Sequence, residues 1–275
     1  MDNPQASRQP TSGANWFFAS ATLAILCCGC GGEFEEKPLF SGTPGELIPH
    51  ELGQTSRFLV RVAYDGRETS AILTSRVLHE GPHGEFIVEN SFDDGRTRRL
   101  RVRETADTIQ VEALARRGTE GFFWKELDEP AVVVTTPVIL GESRKEFFTR
   151  MIDLEFWQDE MPTRTAAAIE GNKSRTAAAI EGKKSRTALP TETLPFGETT
   201  VEVIPFEIRS SSRFTGLAPA FLDSLAFDLR GIEYLSPGLG LVREFLELTL
   251  KGDSASPKIS ISTERLPPTP SRAAF

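Results

Sequence analysis

Residues 57–66 read RFLVRVAYDG, and their alternation decides the class of fold. In an extended chain successive side chains point to opposite faces, so Phe58, Val60, Val62 and Tyr64 share one face. The run stops at Asp65-Gly66, a dipeptide that accepts positive φ and closes hairpins. The same grammar continues downstream. Residues 70–78 (SAILTSRVL) and 85–88 (EFIV) are split by Glu80-Gly81-Pro82-His83-Gly84, and Asp93-Asp94-Gly95 leads into residues 97–103 and then 108–115. Short strands and Gly-centred turns at roughly ten-residue spacing indicate antiparallel pairing rather than βαβ crossovers.

The second half spaces its strands more widely. Ala131-Val132-Val133-Val134 is rich in β-branched residues and stops at Pro137. Residues 146–157 (EFFTRMIDLEFW) fit a strand through Phe148, Ile152, Leu154 and Phe156, and helical spacing through Phe147, Met151 and Leu154; strand is the favoured reading. Residues 199–208, 225–234 and 241–250 alternate again, with room for one short helix at 215–225. Ile259 and Ile261 suit an edge strand, before Pro267-Pro268-Thr269-Pro270 marks a disordered tail. Between the halves stands a tandem repeat, TRTAAAIEGNK at 163–173 followed by SRTAAAIEGKK at 174–184, with a third start at 185–188. Two copies make no solenoid, which needs periods of about 20–50 residues and three or more units. The expectation is a flexible insertion at 160–193. From Thr163 to Thr187 its basic residues (Arg164, Lys173, Arg175, Lys183, Lys184, Arg186) outnumber Glu170 and Glu181. That charge suits anionic headgroups at about 1 kcal/mol per basic residue, or a solvated loop without a role.

Residues 16–29 (WFFASATLAILCCG) form an unbroken apolar run. It matches a signal-peptide core of roughly 7 to 15 residues and falls short of the about 20 needed to span a bilayer. Gly29 before Cys30, with aliphatic residues behind it, resembles the lipobox of bacterial lipoproteins, which implies removal of residues 1–29 and diacylation of Cys30. Cys28, preceded by Ile25-Leu26-Cys27, is the competing acceptor; an ordinary secretory signal or an uncut anchor are the alternatives. Residues 30–46 then read as a lipidated, flexible tether. All three cysteines sit at this junction, so the domain beyond it has neither a disulfide nor a thiol nucleophile. With a net charge of -8 the chain has no electrostatic reason to bind nucleic acid. Membrane contact is expected through acyl chains, at about 0.8 kcal/mol per buried CH₂.

Few constellations carry chemistry. His79-Glu80-Gly81-Pro82-His83 has the H-E-x-x-H spacing, but Gly81-Pro82 prevents the helix that would place both imidazoles on one metal, so no metal and no cofactor is expected. Arg99, Arg101 and Arg103 share one face of a strand and could hold an anion, or pair across to acids such as Glu85 and Glu89. Nineteen Phe against two Tyr and three Trp suit a dry interior or an apolar cavity. Phe58, Val60, Val62, Tyr64, Val201 and Val203 are the candidate ligand-facing positions. No spacing singles out a carboxylate pair, and Gly238-Leu239-Gly240 lacks the third glycine of a dinucleotide fingerprint.

The segment Tyr234-Leu235-Ser236-Pro237-Gly238-Leu239-Gly240-Leu241-Val242-Arg243 resembles a signature of bacterial envelope lipoproteins with a curved antiparallel sheet, in which a Pro-Gly turn precedes a Gly-x-Gly-Leu-Val strand start. Leu47-Ile48-Pro49 to Leu52-Gly53 and Val138-Ile139-Leu140-Gly141 are similar to two further landmarks of such proteins. The resemblance extends to the LolA/LolB half-barrels, which carry acyl chains or lipoproteins on a concave apolar face. It implies a mainly β, half-barrel-like domain over 47–252 with at most one or two short helices, and the proline-rich composition near the end adds a mostly disordered tail at 253–275. The expected protein is a monomeric, membrane-anchored, non-catalytic binding module on the periplasmic face of the cell envelope. Its expected partners are membrane lipid through the acyl chains and an apolar ligand or an envelope protein. A scaffold without a ligand is the alternative, and a hydrolase the third.

Overall fold

The computed structural model describes residues 37–64, 66–118, 120–153, 177–215, 226–251 and 258–268. These form one short helix, α1 (Pro44–Leu47), and thirteen strands. The first six are β1 (Thr55–Tyr64), β2 (Arg67–Glu80), β3 (Glu85–Phe92), β4 (Thr97–Glu104), β5 (Thr108–Gly118) and β6 (Gly121–Thr135). The remainder are β7 (Ser143–Asp153), β8 (Ala177–Ala188), β9 (Glu192–Phe196), β10 (Thr199–Thr215), β11 (Ala226–Ser236), β12 (Gly240–Leu250) and β13 (Ile259–Arg265). The sheet runs β6-β5-β4-β3-β2-β1-β13-β12-β11-β10-β8-β7, with β9 hydrogen-bonded to the start of β10.

Antiparallel hairpins build it, as the alternation requires. Gly66, Gly95, Gly238 and Gly240 take positive φ at the turns, where a Cβ would be strained. The curvature goes further than a half-barrel. The ends of the ladder, β6 and β7, lie side by side, with no backbone ladder between them among the described residues. Thr135 Oγ1 donates to Glu146 Oε1 across this seam at 3.2 Å, so the sheet is a nearly closed barrel. Near closure removes most of the edge that an open sheet exposes.

Several expectations are corrected. Ile259 and Ile261 do not make an edge: β13 sits in the middle of the sheet, paired to β1 and to β12, and closes the gap between the two halves of the chain. The span 160–193 is not wholly a flexible insertion, because the second repeat copy from Ala177 on and the third start at 185–188 supply β8, hydrogen-bonded to β7 and β10. Ala, Gly and Lys are poor strand formers, so pairing on both sides imposes this conformation against local preference. Gly182 is required there: a Cβ would stand 2.7 Å from Ser212 Oγ and 3.0 Å from the Ser211 carbonyl. The tether at 30–46 is also shorter than expected, since Phe40 bridges to Val138 and Leu47 is fully buried. The strand through residues 121–130 was not anticipated, because Pro130 and an acidic run obscured its alternation. The signal peptide, Cys28, Cys30, the helix at 215–225 and the first repeat copy lie outside the described residues.

The repeat offers a test. Residues 166–177 and 177–188 differ only in Asn172 against Lys183, so excising residues 166–176 preserves β8 and shortens the β7–β8 connection by one copy. Roughly halving a loop changes closure entropy by only about 0.6 kcal/mol. Urea unfolding of the deletion variant is expected to match the parent within about 1 kcal/mol, and a larger loss would mean that the first copy holds part of the fold.

Candidate functional site

Inward-facing side chains of the barrel divide into two sectors around a cavity of about 370 Å³. One wall is apolar, built by β2 to β6 from residues such as Val77, Phe86, Leu100, Val102, Val111 and Val133. The opposite wall carries a band of charge among apolar residues such as Ile208, Leu229 and Leu246. Lys184 and Arg186 of β8, Glu233 of β11 and Glu244 of β12 all border the cavity, and Glu146 of β7 stands behind Lys184. Strand register explains the row: Phe206 pairs with Glu233 and with Ala188, Glu233 with Glu244, and Glu244 with Thr263.

Arg186 organises this band. Its guanidinium is 4 % exposed, lies 4.0 Å over the Phe206 ring, donates to the Val133 carbonyl at 2.5 Å and pairs with Glu233 at 2.8 Å. It therefore ties β8 to β6 across the seam and, over the intervening β10, to β11. Thr263 Oγ1 donates to Glu244 Oε2 at 3.1 Å. Lys184 Nζ lies 3.9 Å from Glu146 Oε2, close enough for an ion pair and too far for a hydrogen bond. Burial pushes the Lys184 ammonium below its usual 10.5, and Arg186 adds to this, while Glu233, Glu146 and Glu244 oppose it. Between that lowered value and 10.5 the folded chain binds fewer protons than the unfolded one, so this group's contribution to stability grows as pH rises through the window. Glu146 Oε2 and Arg186 Nε have no hydrogen-bond partner among the described residues, and both residues border a separate void of about 20 Å³, room for one water molecule.

One end of the cavity is covered by α1 and the residues after it. Thr43 caps the helix, accepting from Glu46 N at 3.3 Å. Glu104 at the end of β4 then clamps the segment twice, accepting from Gly45 N at 2.8 Å and meeting His50 Nε2 at 3.0 Å. The imidazole stacks on Phe86 with centroids 4.1 Å apart, and Gly238 N donates to the Glu46 carbonyl at 2.8 Å. Ile48, Pro49 and His50 thus form a cover over the barrel interior.

No family model matches the chain, and no curated protein matches it. Two solved structures resemble it. One is a "putative exported protein with YmcC-like fold" from Bacteroides fragilis, 15% identical over 79% of this chain and 97% of that one, with a TM-score of 0.38. The other is a "putative lipoprotein" from Parabacteroides distasonis, 14% identical over 80% and 97%, with a TM-score of 0.32.

Of the candidate ligand-facing residues, Phe58 borders the cavity. Val60 and Val62 share its face of β1 but lie outside the cavity wall, against β2 and β13. Val201 and Val203 belong to the β9–β10 hairpin, and Ile208 is the residue of that strand that borders the cavity. The Tyr64 side chain lies outside the described atoms. The arginine row faces acids rather than an open anion site: Arg99 meets Glu89 at 2.9 Å, Arg103 meets Glu85 at 2.6 Å, and Arg101 pairs with Glu126. His79 ends β2 and His83 sits in a 3₁₀ turn at φ 59°, so neither is presented by an α-helix. Sequence reasoning placed Lys184 and Arg186 in a solvated or headgroup-facing insertion, whereas they line the cavity, and it missed Glu233 and Glu244 altogether. A chain-local signal existed only in the alternation Lys184-x-Arg186-x-Ala188, which puts two cations on the face of a buried alanine.

Proposed function

We propose that the protein is a lipid-anchored, extracytoplasmic, non-catalytic binding module that holds an apolar chain inside its barrel. The observation carrying this reading is the cavity itself, apolar on the side of β2 to β6 and covered at one end by Ile48, Pro49 and His50. Its volume lies at the lower end of the roughly 300–1,000 Å³ of ligand sites. The Gly29-Cys30 junction supports the anchor, because an acylated cysteine would hold the barrel at a membrane through the short segment before Leu39. The charged band serves structure and orientation rather than turnover in this reading, since Arg186, Glu233, Glu244 and Thr263 are engaged with one another or with the barrel backbone.

Two measurements address the two halves of the proposal. Acyl labelling in a bacterial host is expected to mark the parent chain, to fail in Cys30→Ala and to persist in Cys28→Ala; labelling of neither or both variants would remove the assignment. Native mass spectrometry of protein released from membranes should show a co-purifying lipid, and repeated recovery of the bare chain would count against a binding module. A second reading, an envelope scaffold, is favoured by Phe123 and Trp124, which stand exposed on β6. Pull-down of an envelope protein that is lost in Trp124→Ala would support it.

A further inference from the structure

Of the charged heads on the cavity wall, that of Lys184 alone makes no hydrogen bond among the described residues. Arg186 pairs with Glu233 and donates to Val133, Arg265 is committed to the Leu239 carbonyl, and Glu244 accepts from Thr263. Lys184 borders the same cavity and is 7 % exposed. Glu146 Oε2 stands 3.9 Å from its Nζ, beyond hydrogen-bond reach, and Glu146 Oε1 is taken by Thr135.

Strand register surrounds the ammonium with groups that do not serve it. Lys184 stands between Glu146 of β7 and Ser210 of β10, and Ser210 pairs onward with Leu229 of β11. The Ser210 hydroxyl is engaged with the Ser212 hydroxyl at 2.5 Å and donates to the Lys183 carbonyl at 3.1 Å. Phe148, Ile208 and Leu229 complete the lining at this level. An ammonium carries three N–H donors, and water that reaches the cavity can satisfy them. A molecule that fills the cavity displaces that water. A bare hydrocarbon lying over Nζ would leave a charged donor buried without a partner, at a heavy desolvation cost. A carbonyl oxygen at the same place restores an acceptor, and hydrogen bonds to a charged group are the stronger class.

Resting on the binding reading above, we infer that the ligand is an acyl chain rather than an alkyl chain, its carbonyl oxygen accepting from Lys184 Nζ and its hydrocarbon lying against Val77, Phe86 and Val102. The requirement is for the acyl oxygen, which a free fatty acid and an acyl ester both carry. Lys184 is then the residue that sets the specificity of the cavity.

Equilibrium dialysis tests this with the full chain held in phosphatidylcholine nanodiscs, retention by empty nanodiscs being subtracted. The radiolabelled probes at pH 7 are methyl decanoate, decanoate, decyl methyl ether and undecane. The better retained of the ester and the acid is expected to exceed both the ether and undecane by about ten-fold or more, the factor that a hydrogen bond to a charged group supplies. Whichever of the two leads identifies an ester or a free acid as the source. Retention of the ether or undecane equal to that of the acyl probes overturns the acyl assignment and leaves the binding reading standing, whereas retention of no probe above the blank defeats both. In Lys184→Met the acyl advantage is expected to shrink to less than about two-fold, because the donor is gone. An advantage that persists in the folded variant would overturn the role of Lys184. The probes are compared on the parent chain, so the acyl assignment stands or falls whether or not Lys184→Met folds.

Discussion

Arg186→Met is expected to cost about 3–5 kcal/mol of folding stability, the range found when one partner of a buried ion pair is removed. The variant takes from Glu233 its guanidinium partner at the cavity wall, strips the Val133 carbonyl of its donor and removes the stacking over Phe206. Since small domains hold only about 5–15 kcal/mol in total, a loss of that size moves the urea midpoint far to the left. The expected signature is specific to the pair. Adding Glu233→Met to Arg186→Met should recover a large share of the loss, because well-packed apolar replacements of a buried pair are often neutral. Arg186→Lys should fall between, keeping the charge but losing the planar fork that reaches Val133 and Glu233 together. A single-variant loss below about 1 kcal/mol would mean that the β8–β6 and β8–β11 ties contribute nothing net.

Gly231→Ala is expected to be nearly as damaging, although it adds one methyl group. Gly231 lies in β11 between Ile208 of β10 and Leu246 of β12. A Cβ there would collide with the Phe245 carbonyl oxygen and stand 2.6 Å from Leu246 Cδ2 and 3.0 Å from Leu246 Cα. Two of those three atoms are backbone, so β12 must move as a strand rather than turn a side chain aside. Overpacking of this kind costs about 1–3 kcal/mol and occasionally more. For a domain of this size about 3 kcal/mol corresponds to a fall of roughly 6–12 °C in Tm. Thermal unfolding followed by circular dichroism checks it, and a shift under about 2 °C would contradict the close approach of β11 and β12. Gly53→Ala makes the contrast: nothing lies near the added methyl, and the cost there is the strain of φ 81° alone.

Both predictions concern residues that look unremarkable along the chain. Gly231 interrupts an alternating run and invites the reading of a weak strand, yet its neighbours across the sheet demand it. Arg186 belongs to a repeat whose composition reads as solvated loop. A charge becomes buried only when partners arrive from elsewhere, and here they come from Glu233 and Val133, distant in sequence and adjacent in the barrel.

What the order of residues settles is local. Alternation at Phe58-Val60-Val62 dictates extended chain, the glycines at 66, 95, 238 and 240 dictate reversals, and together these yield an antiparallel, mainly β domain. The pairing of Arg99 with Glu89 and of Arg103 with Glu85 is also readable, since adjacent strands joined by a short turn have little freedom of register. What long-range assembly settles is different in kind: β13 lies between β1 and β12, the second repeat copy becomes an inner strand, β6 meets β7, and α1 covers the opening that closure creates. Each depends on which surfaces remain unpaired after the hairpins have formed, and strand neighbours nearly two hundred residues apart, as β1 and β13 are, leave no mark in either stretch alone. The cavity and its band of charge belong to that second class, because a wall built from strands that are remote in the chain exists only once the sheet has come round on itself.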